Sequence, residues 1–173
     1  MTMRKAMLHA IGILLVLATT AFARAVDVGS PAPAFELPVF AQKDKRMTLA
    51  EQRGKVVLLD FWASWCGPCR QSFPLYEKLR SEMPAADFTL LAIDLDEMTD
   101  GPAAFLYEHP VHYVSLADPE GDVAKAYGLR GMPSSFVIDR DGIVRAKHMG
   151  FKPQDIDELR KEILESIGAK NAQ

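Results

Sequence analysis

The chain has 173 residues, of which 49% are hydrophobic, so it is long enough for one domain with its own core and short for two. Its formal net charge is −3, with 20 Lys and Arg against 23 Asp and Glu. This mild acidity gives no electrostatic reason to bind nucleic acid or anionic lipid, so we set nucleic acid aside as a partner.

The first residues have the features of an export signal. Arg4 and Lys5 form a short basic segment near the start of the chain. An apolar stretch covers residues 10–18, and small residues that suit a signal peptidase follow it. An uncleaved membrane anchor is the alternative, but the apolar stretch is well below the roughly 20 residues that a spanning helix needs. We therefore expect a signal peptide over 1–23, cleaved after Ala23 or Ala25, and one folded domain over 24–173.

The pattern of the remaining chain predicts alternating strands and helices. A continuous apolar run over 55–62 predicts a strand buried on both faces. Residues 66–82 have helical composition, with a kink expected at Pro74. The other predicted elements are strands near 88–96 and 112–116, helices near 101–108, 120–127 and 153–167, and a hairpin over 134–150 that turns at Asp141-Gly142. This order predicts an α/β sandwich around one central sheet.

Both cysteines, Cys66 and Cys69, lie in the segment FWASWCGPCR between that first strand and the helix. A structural disulfide is an alternative in an oxidising compartment, but it would close a loop too short to stabilise the fold much. A structural zinc site needs four N or S ligands, and the histidines show no close metal-ligand spacing to this pair. Redox chemistry requires close spacing, because the second thiol must reach the first sulfur while that sulfur is bonded to a substrate. The spacing favours a redox-active pair, with no metal or other cofactor expected.

Two motifs carry a resemblance to a known family. DFWASWCGPC, followed by Pro74, and YGLRGMP over 127–133 are similar to thioredoxin. An extension over 28–55 and extra residues between the 88–96 strand and Tyr127 resemble the TlpA-like and ResA-like thiol-disulfide oxidoreductases of the bacterial envelope. The resemblance implies a thioredoxin-like three-layer sandwich, with a central mixed sheet flanked by helices, an N-terminal β-hairpin and a helix-strand insert. It also implies a periplasmic location.

The chemistry expected of the two cysteines agrees with this resemblance. Cys66 at a helix N-terminus should be the nucleophile, since unpaired N–H groups and the helix dipole favour thiolate, and Cys69 should resolve the mixed disulfide. The intervening Gly-Pro contains no basic residue that would hold the thiolate, so a reductase is expected. Its substrates would be disulfides of envelope proteins, with apocytochrome c and metallochaperone thiols both open. The resemblance implies a membrane electron donor of DsbD or CcdA type, and we expect a monomer.

Two acids are candidates for proton transfer. Asp60 lies inside the apolar 55–62 strand, where burial should raise its pKa and suit it as a base for Cys69; an Asp facing water at the strand end is the alternative. The resemblance places the buried catalytic Asp of thioredoxin at this position, but the strand beginning FTLLAID lacks the lysine that thioredoxin has nearby. Glu97 resembles the active-site glutamate of ResA-like proteins, and a solvated loop charge is its alternative.

Three further residues are candidates for binding the substrate. Trp65 is expected on the rim of the site, although a plain surface aromatic is the alternative. The resemblance implies that the Met132-Pro133 bond is cis and faces Cys66. The backbone of Met132 would then pair with an extended substrate segment as an added strand.

Two other function classes stay open on the sequence alone. A peroxiredoxin shares the extended thioredoxin-like frame, but its P-x-x-x-T-x-x-C pattern would need Pro and Thr where this chain has Leu59 and Ala63. A non-catalytic binding module with an inert disulfide is the other class. Thiol titration under mild reductant separates that class from a redox enzyme, since an inert bridge would stay oxidised.

Overall fold

The computed structural model describes residues 26–40, 42–98 and 100–169. The predicted signal peptide over 1–23 and both predicted cleavage positions lie outside the described residues. Within the described part of the chain, no helix combines the length and apolar character required to cross a membrane.

Seven strands and four α-helices make up the described fold. The strands are β1 (Glu36–Val39), β2 (Gln42–Thr48), β3 (Val56–Trp62), β4 (Phe88–Asp94), β5 (Val114–Ala117), β6 (Ser134–Ile138) and β7 (Val144–Met149). The helices are α1 (Gly67–Glu82), α2 (Asp100–Glu108), α3 (Asp122–Ala126) and α4 (Asp155–Gly168), and a 3-10 helix covers Ala50–Gln52. Each strand and helix predicted from the pattern is present, with ends shifted by a few residues. α1 continues through Pro74.

All seven strands form one mixed sheet in the order β2-β1-β5-β4-β3-β6-β7. β3 is parallel to β4 and antiparallel to β6, and β4 is parallel to β5. The β1-β2 hairpin adds antiparallel to the far edge of β5, where Val39 pairs with Leu116 and the N–H of Phe40 donates to the carbonyl of Ser115. The N-terminal hairpin and the inserted α2 and β5 match what the resemblance implied.

The sheet separates two apolar clusters, because successive side chains of a strand point to opposite faces. Leu58 and Trp62 of β3 belong to the cluster that contains side chains of α1, α2 and α4. Leu59 and Phe61 belong to the cluster on the other face, together with side chains of α3 and of the N-terminal segment. The three-layer arrangement is therefore confirmed, and β3 is buried on both faces as its apolar run predicted.

Candidate active site

Cys66 and Cys69 are joined by a disulfide bond of 2.04 Å at the start of α1. Cys66 is the N-cap residue of this helix, and its Sγ accepts a hydrogen bond from the backbone N–H of Cys69 at 3.3 Å. Pro68 occupies the first turn, where the missing N–H has no intrahelical partner to lose. The sulfur of Cys66 thus occupies the anion-favouring end of the helix.

The two cysteine residues differ in their access to solvent. Cys66 is 4% exposed, whereas Cys69 is completely buried one helical turn further on. A target disulfide approaching from outside therefore meets Cys66 first. This order agrees with the expected division into a nucleophile and a resolving cysteine.

The end of β3 positions the turn that carries Cys66. β3 is the strand between β4 and β6, and it ends at Trp62, which is completely buried. Three residues follow, and the N–H of Cys66 donates to the carbonyl of Ala63 at 3.0 Å to close a tight turn. The strand, turn and helix therefore place the disulfide at the carboxyl edge of the parallel strands, where α/β folds commonly bind their ligands.

The Met132-Pro133 peptide bond is cis, as the resemblance implied. Pro133 comes directly before β6. In the antiparallel register of β3 and β6, Phe61 pairs with Ser134, so continuing this register by one residue places Pro133 opposite Trp62. Met132 is half-buried and packs against the apolar cluster that includes both cysteines. The carbonyl of Pro133 accepts a hydrogen bond from the N–H of Gly150 at 2.8 Å, which ties this loop to the end of β7.

Large apolar side chains are exposed on the segments that surround the disulfide. Trp65, next to Cys66, is 69% exposed. Met98 in the loop after β4 and Met149 at the end of β7 are also exposed. Flexible methionines and an aromatic ring suit contact with varied polypeptide surfaces. The position of Trp65 agrees with the expected rim residue, although its role in binding stays a prediction.

Asp60 is completely buried in β3, and neither of its carboxyl oxygens has a hydrogen-bond partner among the described residues. It is on the α1 face of the sheet, since Leu58 and Trp62 at two residues on either side point there. Burial raises the pKa of Asp60 well above its usual value. The alternative of a water-facing Asp at the strand end is therefore wrong, and the expectation of a raised pKa is confirmed.

Tyr76 of α1 lies near Asp60 on the same face. Burial raises the pKa of Tyr76, the charge of Asp60 raises it further, and a hydrogen bond with Ser135 acts in the opposite direction. Ser135 of β6 is the register partner of Asp60. These groups form a small polar region inside an apolar layer. No local pattern in the sequence indicates this region, because it joins residues of β3, α1 and β6.

Glu97 is exposed in the loop after β4, and no described hydrogen bond or ion pair connects it to the cysteines. Two neighbouring acids that the sequence analysis did not select are closer to the active-site turn. Asp96 accepts hydrogen bonds from Ser64, and Asp94 accepts one from the N–H of Asp96. Their position at the carboxyl end of a parallel strand was the available signal, because such ends gather at the same edge as the turn.

Each histidine in the described part of the chain is engaged away from the disulfide. His112 pairs with Glu77, and His148 pairs with Glu162. The ring of His109 packs on Phe105. Among the described residues, no group of three or more His, Cys, Asp or Glu side chains could hold a metal ion.

A cysteine pair that forms a disulfide at a helix start, together with a cis proline directly before β6 in a thioredoxin-like sheet, defines a thiol-disulfide oxidoreductase. The chain belongs to the redoxin family, whose model matches residues 27–163. It is an enzyme of the ResA and DsbE type, as its relatives indicate.

Three relatives illustrate the similarity. The thiol-disulfide oxidoreductase ResA of Bacillus thuringiensis subsp. konkukian is 30% identical over 139 residues, which cover 80% of this chain and 79% of the relative. The thiol:disulfide interchange protein DsbE of Pseudomonas fluorescens biotype C is 34% identical over 126 residues, covering 71% of this chain and 67% of the relative. A crystal structure of a candidate thiol:disulfide interchange protein DsbE from Chlorobium tepidum has a TM-score of 0.78 at 42% identity, covering 83% of this chain and 99% of that one.

The structure also bears on the peroxiredoxin alternative. The positions that would need Pro and Thr are occupied by Leu59 and Ala63, and both side chains are completely buried in apolar clusters. No hydroxyl group is therefore available at the Thr position to bind a peroxide.

Proposed function

We propose that the protein is exported to the bacterial envelope and there reduces disulfides of other proteins through a Cys66-Cys69 dithiol cycle. The observation that carries this proposal is the cap at the start of α1. The sulfur of Cys66 accepts a hydrogen bond from the N–H of Cys69, and Cys66 is slightly exposed whereas Cys69 is completely buried. Unpaired N–H groups and the positive end of the helix dipole stabilise a thiolate at that position.

The reaction proceeds in two exchanges. The Cys66 thiolate attacks one sulfur of the target disulfide, and the other target sulfur leaves as a thiolate. Cys69 then loses its proton and attacks Cys66, which releases the second target sulfur as a thiolate and leaves the enzyme oxidised. Two electrons have moved from the enzyme dithiol to the target.

Asp60 is the proposed acceptor for the proton of Cys69. It lies on the α1 face of β3, its carboxyl has no described partner, and burial raises its pKa well above its usual value, which makes the carboxylate a stronger base. Glu97, which is exposed in the loop after β4, is the second proposed acid and is proposed to affect the pH dependence of Cys66 reactivity. Trp65, Met132 and Pro133 are proposed to contact an extended segment of the target.

The predicted signal peptide over 1–23 supports export, and the resemblance to the TlpA-like and ResA-like oxidoreductases supports the bacterial envelope as the destination. The relatives named ResA and DsbE support the thiol-disulfide chemistry. The Gly-Pro dipeptide favours a reducing couple, which in an oxidising envelope requires a membrane electron donor of DsbD or CcdA type. We propose cytochrome c maturation or a metallochaperone as the destination of the electrons.

Trapping of mixed disulfides in cells tests this proposal. The Cys69→Ala variant should accumulate covalent complexes with target proteins, because the second exchange is blocked. Mass spectrometry of the trapped species in the envelope fraction should identify targets joined to Cys66.

The matched control is the double variant in which Cys66 is also replaced by Ser, which should trap nothing. Complexes that persist in the double variant, or Cys69→Ala complexes that form only with cytoplasmic proteins, would overturn the proposal.

A further inference from the structure

Asp96 holds the turn that precedes Cys66 at two points. The backbone N–H of Ser64 donates to Asp96 Oδ2 at 2.7 Å, and the hydroxyl of Ser64 donates to Asp96 Oδ1 at 2.7 Å. Ser64 is two residues before Cys66, within the turn that the Cys66 N–H closes onto Ala63. Both oxygens of one carboxylate therefore fix the backbone from which α1 begins.

Asp94 lies behind Asp96 and orients it. The N–H of Asp96 donates to Asp94 Oδ1 at 3.1 Å, and Asp94 is only 2% exposed at the end of β4. Burial and the adjacent carboxylate of Asp96 raise the pKa of Asp94 to about 8. At neutral pH the Asp94 carboxyl therefore keeps its proton and can donate it to a carboxyl oxygen of Asp96.

The first turn of α2 also packs closely against Ser64 and Asp96. A Cβ atom at Gly101 would lie 2.5 Å from the Ser64 hydroxyl and 3.2 Å from Asp96 Oδ1. Only a residue without a side chain allows α2 to approach this closely. The inserted helix thus packs directly onto the Asp96-Ser64 contact.

We propose that Asp96 is a positioning residue for Cys66, which holds the active-site turn so that the helix start faces the sulfur, and that Asp94 orients Asp96. This inference rests on the proposed role of Cys66 as the nucleophile. Asp96 touches neither sulfur in the described contacts, so it acts through Ser64 and the turn.

Other charged side chains occupy the elements packed around this pair. A guanidinium nitrogen of Arg70 donates to the carbonyl of Ser64 at 3.5 Å, so the turn is also held from α1. Other acidic residues on these elements are Glu97 in the same loop, Asp100 and Glu108 on α2, and Asp118 after β5. None of these side chains is hydrogen-bonded to Asp96 in the described contacts, so the Ser64 contact depends on Asp96 itself.

Two substitutions of Asp96 separate its hydrogen bonds from its charge. Asp96→Asn removes the charge but keeps an oxygen for the Ser64 N–H and an amide that can donate to the Ser64 hydroxyl. Asp96→Ala removes both contacts. Asp122→Asn, an exposed acid on α3, is the control for a change of one charge unit.

The first readout is alkylation of Cys66 by iodoacetamide in the reduced protein, followed as a function of pH. Asp96→Ala should move the alkylation midpoint upward by about half a pH unit or more, because the loosened turn weakens the N–H contact to the sulfur. Asp96→Asn should leave the midpoint unchanged or move it downward, since the contacts remain and a negative charge is gone. A midpoint that is higher than wild type in Asp96→Ala, but not in Asp96→Asn, would show that Asp96 acts by positioning the turn.

The second readout is kcat/KM for reduction of a protein disulfide. Asp96→Ala should lose about tenfold, as expected when a reacting group is misplaced, and Asp96→Asn should restore most of that loss. Should Asp96→Ala fail to fold, Ser64→Ala removes only the hydroxyl donor, and a loss of about fivefold is then expected.

The inference is overturned if Asp96→Ala keeps the wild-type midpoint and a kcat/KM within twofold of wild type, or if Asp96→Asn is as impaired as Asp96→Ala. Alkylation needs no target protein, so it tests Asp96 even if the protein reduces no envelope disulfide. Failure of the wild type to reduce a protein disulfide, with the midpoints in the expected order, would instead count against the proposed function alone.

Discussion

The starts of α1 and α3 lie at the same edge of the sheet but are capped by different atoms. At α3, the carboxylate of Asp118 accepts three backbone N–H groups, from Asp122, Val123 and Ala124, at 3.0 to 3.1 Å. At α1, the sulfur of Cys66 accepts a single N–H at 3.3 Å. A carboxylate uses up the donors of a helix start, whereas a sulfur leaves them available for charge that develops on it. The Asp118 cap of α3 therefore stabilises the fold, whereas the Cys66 cap of α1 holds the sulfur that we propose as the nucleophile.

The buried carboxyls near the two helix starts also differ in the number of N–H hydrogen bonds that they accept. Burial raises the pKa of both Asp118 and Asp60. Three N–H bonds oppose that shift at Asp118, while the oxygens of Asp60 have no described partner. Asp94, with one N–H partner, is intermediate. An acid buried without described partners is costly to the fold, and this cost is the reason for the proposal that Asp60 takes part in the chemistry.

Removing the cap sulfur of α1 should have the largest effect. Cys66→Ser should lower disulfide reduction at least about a thousandfold, because a hydroxyl at neutral pH is not a comparable nucleophile. Cys69→Ala should form mixed disulfides at a normal rate and fail to resolve them. Single-turnover reduction of a protein disulfide, with non-reducing gels, measures both steps. Normal turnover by Cys69→Ala would show that the two roles are wrongly assigned.

Asp94→Asn should alter the pH dependence of stability. The pKa of Asp94 is about 8 in the folded state and near 4 in the unfolded state. Between these pH values the folded state holds a proton that the unfolded state has lost, so the wild type becomes less stable as pH rises from about 4 to about 8. The variant lacks this loss. Its unfolding free energy relative to wild type should therefore rise by roughly 3 kcal/mol between pH 5 and 8 and then level off.

Urea denaturation at a series of pH values measures this difference. Asp122→Asn, whose side chain is exposed, is the matched control and should run parallel to wild type. Parallel curves for Asp94→Asn as well would mean that Asp94 titrates like a solvated carboxyl.

Asp118→Ala should lower the unfolding free energy by about 2 kcal/mol, because three N–H groups at the start of α3 lose their acceptor. The activity of each folded molecule should not change, since this cap is structural. Denaturation midpoints and kcat/KM corrected for the folded fraction check both parts. An activity loss larger than the loss of folded protein would show that the Asp118 cap is not purely structural.

Asp60→Asn should slow release from the mixed disulfide by about tenfold while formation is less affected, because only the second exchange needs a base for Cys69. The same variant should gain stability relative to wild type as pH rises above the unfolded value, since the raised pKa of Asp60 makes its ionised form unfavourable in the folded state. Rapid-mixing measurement of the two half-reactions across pH checks the kinetic part. An unchanged resolution rate would mean that water or the substrate accepts the proton.

The strands and helices could be predicted from the sequence because their signals are local. The apolar run over 55–62 matches β3 at Val56–Trp62, and the Asp141-Gly142 turn joins β6 to β7. Gly142 has a φ of 74°, which favours glycine. The burial of Asp60 followed from its apolar neighbours. The β1-β2 hairpin and the cis bond at Pro133 followed only from the resemblance.

The contacts that join distant segments could not be predicted. Asp96 and Ser64 are 32 residues apart, and their contact depends on how β4 and β3 align and on which way the chain turns after each strand. Glu97 was selected from the resemblance, yet its neighbour Asp96 is the residue that contacts the active-site turn. Side-chain direction after a strand ends has no fixed period, so the sequence does not distinguish two adjacent acids there.

The reduction potential of the Cys66-Cys69 couple decides whether this pair reduces target disulfides or donates its own disulfide to them. Equilibration of the purified domain with glutathione buffers, followed by thiol trapping and mass spectrometry, gives the value. The Gly-Pro dipeptide and the single N–H contact to Cys66 predict a reducing couple, near the roughly −270 mV of thioredoxin. A value near the roughly −120 mV of a strong oxidant would contradict the account, because such a couple would donate its disulfide to targets instead of reducing theirs.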